Sequence, residues 1–176
     1  MARTMLIYGL ISGAVIIAVS IIFLVNGSGH HSSVWLGYLV MVVGLSSIFV
    51  GVRQYRDKTL GGVIRFWPAL GLGLGIAVVA SLVYVIVWEA YLAFSHYNFM
   101  DEYAASVLAH KRAAGVSGEA YQKAVAEVDK MRAIYANPLA RFGMTFIEIF
   151  PVGLVMAIIS AAQLRNPRVL PARVAA

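Results

Sequence analysis

Four long apolar runs constrain the fold of this chain more than any other feature of its sequence. They cover residues 5–25, 34–52, 69–94 and 142–164, and the only charged residues inside them are Glu89 and Glu148. A helix of about 20 apolar residues is long enough to cross the hydrocarbon core of a bilayer. The sequence therefore predicts an all-α integral membrane protein, a four-helix bundle that forms a single membrane domain over residues 1–176.

The composition supports this interpretation and excludes several classes of protein. Hydrophobic residues make up 61% of the chain and charged residues 12%, against about 45–50% and about 25% in a soluble domain. A soluble globule of this size could not bury so much apolar surface, which argues against a soluble enzyme, a disordered chain or a free nucleic-acid binder. The chain has no cysteine, so disulfides and cysteine metal sites are excluded.

The segments between the runs differ in basic charge, and this difference predicts the orientation. The segment 26–33 contains no Lys or Arg, and the long segment 95–138 balances its positive and negative charges. Basic residues instead dominate the N-terminus, the loop after the second run and the C-terminal tail: Arg3; Arg53, Arg56, Lys58 and Arg65 beside Asp57; Arg165, Arg168 and Arg173. Because short cytoplasmic loops carry the excess of Lys and Arg, both termini are predicted to be cytoplasmic. Membrane lipids, not nucleic acid, are the expected partners of this charge.

The segment 95–138 is predicted to form an extramembrane helical hairpin between the third and fourth membrane helices. The glycines at 115 and 118 interrupt it. After this break, mostly apolar residues recur at the three-to-four spacing of an amphipathic helix: Tyr121, Val125, Val128, Met131, Arg132 and Tyr135. Asn137-Pro138 then ends the second helix of the hairpin.

Small residues within the apolar runs predict where helices approach one another closely. Glycine recurs every seven residues at 37, 44 and 51, and G-x-x-x-G pairs occur at 9 and 13 and at 71 and 75. Glycine lets two backbones meet in lipid, where no hydrophobic effect drives helices together. These seams are interpreted as the packing surfaces of the bundle.

Glu89 and Glu148 are the strongest candidates for functional residues. A carboxylate near the bilayer centre costs about 2.5–3.5 kcal/mol on insertion scales, so such a residue is either functional or paired. Both are expected in the outer half of the membrane, where they could lie close together and share a proton. Pro151 follows Glu148 by one helical turn and frees the carbonyl of Ile147, a plausible place for water or a cation.

Three interpretations of these carboxylates remain open. They could hold the bundle together as buried, satisfied polar groups, act as a proton or ion relay, or bind a ligand. In the first case one of them could pair with Arg141 or accept a hydrogen bond from Tyr84, Tyr91 or Thr145. The sequence narrowly favours the structural interpretation.

No motif in the chain predicts enzymatic activity or a cofactor. The histidines at 30, 31, 96 and 110 lack the spacing of a metal site. Nucleophile elbows, phosphate-binding loops and paired catalytic acids are also missing. The expectation is a protein that is not an enzyme and has neither a cofactor nor a metal site.

Several motifs together resemble a bacterial membrane family known as domain of unknown function 4199. They are FVGVRQYRD at 49–57, LGGVIRF at 60–66, Trp88-Glu89-x-Tyr91, Phe99-Met100-Asp101 and EIFPVGL at 148–154. The resemblance covers nearly the whole chain. It implies a four-helix protein of the bacterial inner membrane with an outer helical segment, and it implies no activity.

The resemblance also draws attention to the basic loop that contains Arg53, Arg56, Asp57 and Arg65. This loop could be a cytoplasmic docking point or a site for anionic lipid. The favoured interpretation is structural, namely a basic flank of the second membrane helix with an Asp–Arg pair.

Taken together, the sequence favours a non-enzymatic accessory or interaction module that packs with itself or with a membrane-protein partner. The alternative is a small transporter or channel subunit that uses Glu89 and Glu148 for proton or cation coupling. Four helices make a thin bundle, so this alternative requires an oligomer. A third possibility, lipid or sterol binding between helices, depends on the glycine seams and on tryptophans at 35, 67 and 88.

Overall fold

The computed structural model describes residues 1–25 and 34–171, and these residues fold as helices without any strand. The helices are α1 (Ala2–Val25), α2 (Val34–Leu45), α3 (Ser47–Thr59), α4 (Phe66–Phe94), α5 (Phe99–Ala113), α6 (Gly118–Ala136) and α7 (Pro138–Leu164). Four helical stretches are long and apolar enough to cross a membrane: Ala2–Phe23, Trp35–Thr59, Phe66–Phe94 and Pro138–Leu164. The predicted all-α fold with four long apolar helices and an intervening helical hairpin is confirmed.

The helices extend beyond the apolar runs that predict them. The second run ends at residue 52, but α3 continues through polar residues to Thr59. There, Gly61 and Gly62 adopt positive φ angles of 67° and 97°, and the amides of Leu60 and Gly62 donate to the carbonyl of Arg56. An apolar run therefore indicates how much of a helix suits lipid, whereas the backbone conformation decides where the helix ends.

The described chain divides into two compact units. Unit 1 comprises Met1–Ile86 and Phe146–Ala176, and unit 2 comprises Val87–Thr145. Unit 1 is therefore built from two separate stretches of sequence, whereas unit 2 is continuous. The interpretation of residues 1–176 as one membrane domain stays a prediction.

Glycines allow the helices of unit 1 to pack closely. A Cβ atom at Gly9 or Gly13 of α1 would overlap side chains of α4, and one at Gly13 would also meet the carbonyl oxygen of Ala80. The side chain of Ile16 occupies the space beside Gly44. These positions confirm that small residues form packing seams.

The structure corrects part of the predicted seams. Nothing lies within 4 Å of a Cβ built at Gly37 or Gly71. The contact between α4 and α7 instead uses Gly73, which meets the backbone of Ala157, and Gly153, which meets Ala77. A repeat of glycines in the sequence indicates a helix face made of small residues. Which of those glycines makes contact depends on the position of the partner helix.

Unit 2 contains the helical hairpin. Helices α5 and α6 pack against one another, with Met100 and Ala104 of α5 and Ala124 and Val128 of α6 buried. Gly115 and Gly118 between them have positive φ angles of 79° and 59°, a conformation that glycine adopts without strain. The location of the hairpin outside a membrane stays a prediction.

Large apolar side chains remain on the outside of the long helices. The exposed fraction is 76% for Trp35, 62% for Ile86 and 68% for Ile147. So much exposed apolar surface would promote aggregation in water but suits contact with lipid. Both the helix lengths and this exposed surface therefore suit a protein that crosses a membrane.

Candidate functional site

The most completely paired polar group in unit 2 is the guanidinium of Arg141. Its Nε donates to Oε1 of Glu89 and its Nη2 donates to Oε2 of the same carboxylate, each at 2.6 Å. The Arg141 side chain is 6% exposed and that of Glu89 is 29% exposed. This is a bidentate pair, the strongest geometry available to an arginine and a carboxylate.

Aromatic residues complete the surroundings of Arg141. Its remaining terminal nitrogen, Nη1, donates to the carbonyl oxygen of Tyr135 at 3.0 Å. The guanidinium carbon lies 5.1 Å from the ring centre of Tyr97 and 5.7 Å from that of Tyr135, within the range of cation–π attraction. The indole Nε1 of Trp88 donates to the Tyr135 hydroxyl at 2.7 Å. The cation is thus held by a carboxylate, a carbonyl and two rings.

Asn137 and Pro138 determine where Arg141 lies on its helix. The Asn137 side chain accepts hydrogen bonds from the amides of Leu139 and Ala140, as an N-cap residue does, and Pro138 suits the first helical position. Arg141 consequently lies in the first turn of α7, where a positive charge opposes the helix dipole. The carboxylate of Glu89 offsets that unfavourable charge.

The structure gives structural contacts to four of the predicted polar residues, all of which lie in unit 2. Of the two carboxylates, it is Glu89 that pairs with Arg141. Tyr91 stacks on Trp88, with ring centres 5.4 Å apart, and the hydroxyl of Thr145 donates to the carbonyl of Arg141. Sequence reasoning missed the roles of Tyr97, Trp88 and Tyr135, because the spacing of aromatic residues does not reveal which of them face a cation.

Glu148 has a different environment. It belongs to unit 1, and within the two described ranges its carboxylate has neither a hydrogen bond nor an ion pair. Its side chain is exposed on the surface of an apolar helix, and α7 continues through Pro151. Whether Glu89 and Glu148 share a proton stays a prediction.

The exposed face around Glu148 is otherwise apolar. Its members recur at helical spacing and are defined as the Glu148 face: Ile147, Glu148, Pro151, Val155 and Ile158. The apolar members suit lipid, whereas the carboxylate does not. Glu148 is thus a single carboxylate within an otherwise apolar exposed helix face.

The basic loop of unit 1 contains a second buried arginine. The side chain of Arg56 is 0% exposed, and its Nε donates to Asp57 at 2.7 Å. Its two terminal nitrogens donate to the carbonyl oxygens of Val169 at 3.0 Å and Leu170 at 2.5 Å. Arg53 also pairs with Asp57, at 3.5 Å.

These contacts match the structural interpretation for Arg56, whereas a role of the loop in docking or lipid binding stays a prediction. The Asp–Arg pair is present, and the guanidinium is completely covered, so a lipid headgroup or a docking protein cannot reach it. Arg65, by contrast, is exposed in the turn before α4. The link from Arg56 to the tail could not be predicted, because its acceptors are backbone carbonyls more than a hundred residues away.

The described histidines do not assemble a metal site. Across residues 1–25 and 34–171, no group of three or more His, Asp or Glu side chains is arranged to hold a metal ion. His96 and His110 lie in unit 2, and His30 and His31 fall outside the described residues.

Comparison with known protein families gives a match over most of the chain. The model of a family described as "Protein of unknown function (DUF4199)" matches residues 7–166. No curated protein and no solved structure matches the chain. Since the match covers most of the sequence, including the Glu89–Arg141 pair, Glu148 and the basic loop, the chain belongs to the DUF4199 family.

Proposed function

We propose that this protein is a non-enzymatic accessory module of the bacterial inner membrane that associates with a second copy of itself through the Glu148 face. The observation that carries the proposal is the exposed, unpaired carboxylate of Glu148 in an otherwise apolar helix face. Its burial against another protein surface would remove it from hydrocarbon, where it is costly.

A second copy is a suitable partner for this face because a carboxylic acid complements itself. A protonated carboxyl group both donates and accepts a hydrogen bond. A two-fold dimer places the same surface of each subunit in contact, so one Glu148 would meet the other. The apolar members Ile147 and Val155, exposed by 68% and 54%, would pack around the two carboxyl groups.

The other polar groups support a non-enzymatic role. Glu89 uses both carboxylate oxygens on Arg141, and Arg56 uses all three of its donor nitrogens on Asp57 and the tail. Groups held in this way stabilise the fold and are poorly placed to react with a substrate. The distribution of Lys and Arg supports an orientation with both termini in the cytoplasm.

Proton or cation transport is the second candidate, and it depends on the same carboxylate. An exposed Glu148 in an oligomer could line a path between subunits and carry a proton along it. Both candidates predict association, so the oligomeric state cannot separate them. A measurement of proton flux distinguishes the accessory module from the transporter.

Cysteine crosslinking tests the association. Because the chain has no cysteine, Val155→Cys introduces a single thiol on the Glu148 face. Leu10→Cys is the matched control, since Leu10 is 52% exposed on α1. Oxidation of membranes should give a disulfide-linked dimer of Val155→Cys and little of Leu10→Cys, and Glu148→Arg should weaken the Val155→Cys crosslink. Equal crosslinking at both positions, or none at either, contradicts the proposal. If Val155→Cys crosslinks only to another protein, the module has a different partner.

Proton flux separates the two candidates. Liposomes that hold the protein and a pH-sensitive dye would be given a potassium diffusion potential. The accessory module should admit no more protons than empty liposomes do. Proton influx that Glu148→Gln abolishes and Glu89→Gln spares would establish transport instead.

A further inference from the structure

A cleft lies in unit 1 between the first turns of α1 and the last turns of α3. Its volume is about 330 Å³, which is the lower end of the range for ligand sites. Its lining combines polar and apolar surface in similar amounts, and its polar side chains include Arg3, Thr4, Tyr8, Gln54, Lys58 and Thr59. Neither Arg56 nor Arg141 lines this cleft, so it is separate from the contacts described above.

The charge of the cleft is entirely positive. Arg3 and Lys58 line it, and no carboxylate does. The nearby acid, Asp57, is turned to Arg53 and Arg56. Neither Arg3 nor Lys58 forms an ion pair with any residue in the described ranges. The cleft thus holds two cations whose charge nothing on the described chain neutralises.

Hydrogen-bond donors accompany the two cations. The hydroxyl of Tyr8 donates to Oε1 of Gln54 at 2.7 Å, so the acceptor atom of the Gln54 amide is occupied while its NH₂ group still has donors. Thr4 and Thr59 contribute hydroxyls. The first turn of α1 adds the positive end of a helix dipole. Two cations, an amide and hydroxyls form a donor set suited to the oxygens of a phosphate group.

The position of the cleft favours a phosphate carried by a lipid. One candidate membrane helix, Ala2–Phe23, begins here and another, Trp35–Thr59, ends here, so the cleft lies at a membrane boundary. Ile7, which is 43% exposed, gives the cleft an apolar edge. In the proposed orientation this boundary is the cytoplasmic one, where anionic lipids are concentrated.

We infer that this cleft binds a phosphate group, and that an anionic phospholipid supplies it. The basic loop therefore does contain a lipid contact, but at Lys58 together with Arg3 of another helix. Arg56, which the sequence analysis included in a candidate site for anionic lipid, is instead buried and hydrogen-bonded to the C-terminal tail.

Lipid binding to the full chain in detergent, measured by native mass spectrometry, tests this inference. Phosphatidylglycerol should bind more tightly than zwitterionic phosphatidylcholine. Each cation near an anionic headgroup is expected to contribute about fivefold in affinity, so the double variant Arg3→Gln/Lys58→Gln should bind phosphatidylglycerol about 25-fold more weakly. Arg65→Gln is the matched control, because it removes one exposed charge from the same loop outside the cleft, and it should change the affinity less than twofold.

The outcomes separate the two sources of phosphate. Inorganic phosphate, titrated by calorimetry, should bind far more weakly than the lipid. Phosphate binding that needs Arg3 and Lys58, together with lipid binding that does not, would keep the phosphate site and overturn the lipid as its source. Equal binding of phosphatidylglycerol by the wild type and the double variant, without cation-dependent phosphate binding, would overturn the inference. Arg3→Lys/Lys58→Arg should bind phosphatidylglycerol like the wild type, which controls for loss of folding.

Discussion

Among the residues that the structure describes, each unit has one buried arginine, and the two arginines use their donors differently. In unit 2, two nitrogens of Arg141 donate hydrogen bonds to the carboxylate of Glu89, which lies 52 residues earlier in the sequence. In unit 1, one nitrogen of Arg56 donates to its neighbour Asp57, and the other two donate to backbone carbonyls of the C-terminal tail. The first arginine joins two long helices by charge, whereas the second fastens an irregular segment to the end of a helix.

This difference determines what remains after either arginine is lost. Without Arg141, the mostly buried carboxylate of Glu89 has no counterion. Without Arg56, Asp57 keeps Arg53, and the tail can detach so that water satisfies the carbonyls of Val169 and Leu170. Burial of the cation is similar in both cases, but the cost of its removal depends on whether its partners can reach water.

Arg141→Met should cause the largest loss of stability. Removal of one partner of a buried ion pair costs about 3–5 kcal/mol, a fall of roughly 10 °C in the unfolding temperature of a chain of this size. Thermal unfolding in detergent measures it. The double variant Glu89→Leu/Arg141→Met should recover most of the loss, because an apolar pair leaves no uncompensated charge. If the double variant is as unstable as Arg141→Met alone, the pair is not what stabilises this part of unit 2.

Arg56→Met should have a smaller global effect and a distinct local one. The expected loss is about 1–3 kcal/mol, and the released tail should become sensitive to trypsin at Arg165 and Arg168. Brief digestion of the folded protein, followed by mass spectrometry, would detect this cleavage. Arg53→Gln is the control, since it leaves the bonds from Arg56 to the tail in place. Unchanged cleavage in Arg56→Met would show that other contacts hold the tail.

Lys123→Gln should have the smallest effect. Lys123 pairs with Glu119 at 2.9 Å, but both side chains are more than 70% exposed. Exposed pairs contribute about 0–1 kcal/mol, so the unfolding temperature should hardly change. A loss as large as that of Arg141→Met would mean that an unidentified surface covers this pair and that ion pairs cannot be ranked by burial here.

The architecture was predictable because it depends on chemistry that is local in the sequence. Long apolar runs fix the number of long helices, and glycines at 115 and 118 fix the hairpin turn. The glycine seams were predictable only in part, since Gly37 and Gly71 share the spacing of the others but face nothing. Contact between two helices depends on their rotation and register, and the pattern within one helix does not contain that information.

The candidate site was predictable in part, because a charged residue within an apolar run stands out in the sequence. A carboxylate within an apolar run requires a partner, and Arg141 was among the candidates for Glu89. By the same argument Arg141 could equally have paired with Glu148, and only the fold shows which of the two carboxylates it contacts. The acceptors of Arg56 gave no signal, because every residue has a carbonyl oxygen and the sequence does not show which two are turned toward a distant guanidinium.

The separation between Arg56 and its acceptors also imposes an order on assembly during translation. Unit 2 is continuous, so every partner within it exists once residue 145 has left the ribosome. The acceptors of Arg56 follow it by 113 residues at Val169 and 114 at Leu170, so the whole of unit 2 is synthesised before they exist. Domains generally fold as their sequence becomes complete. The segment made in the middle can therefore reach its native contacts before the unit that contains the N-terminus does.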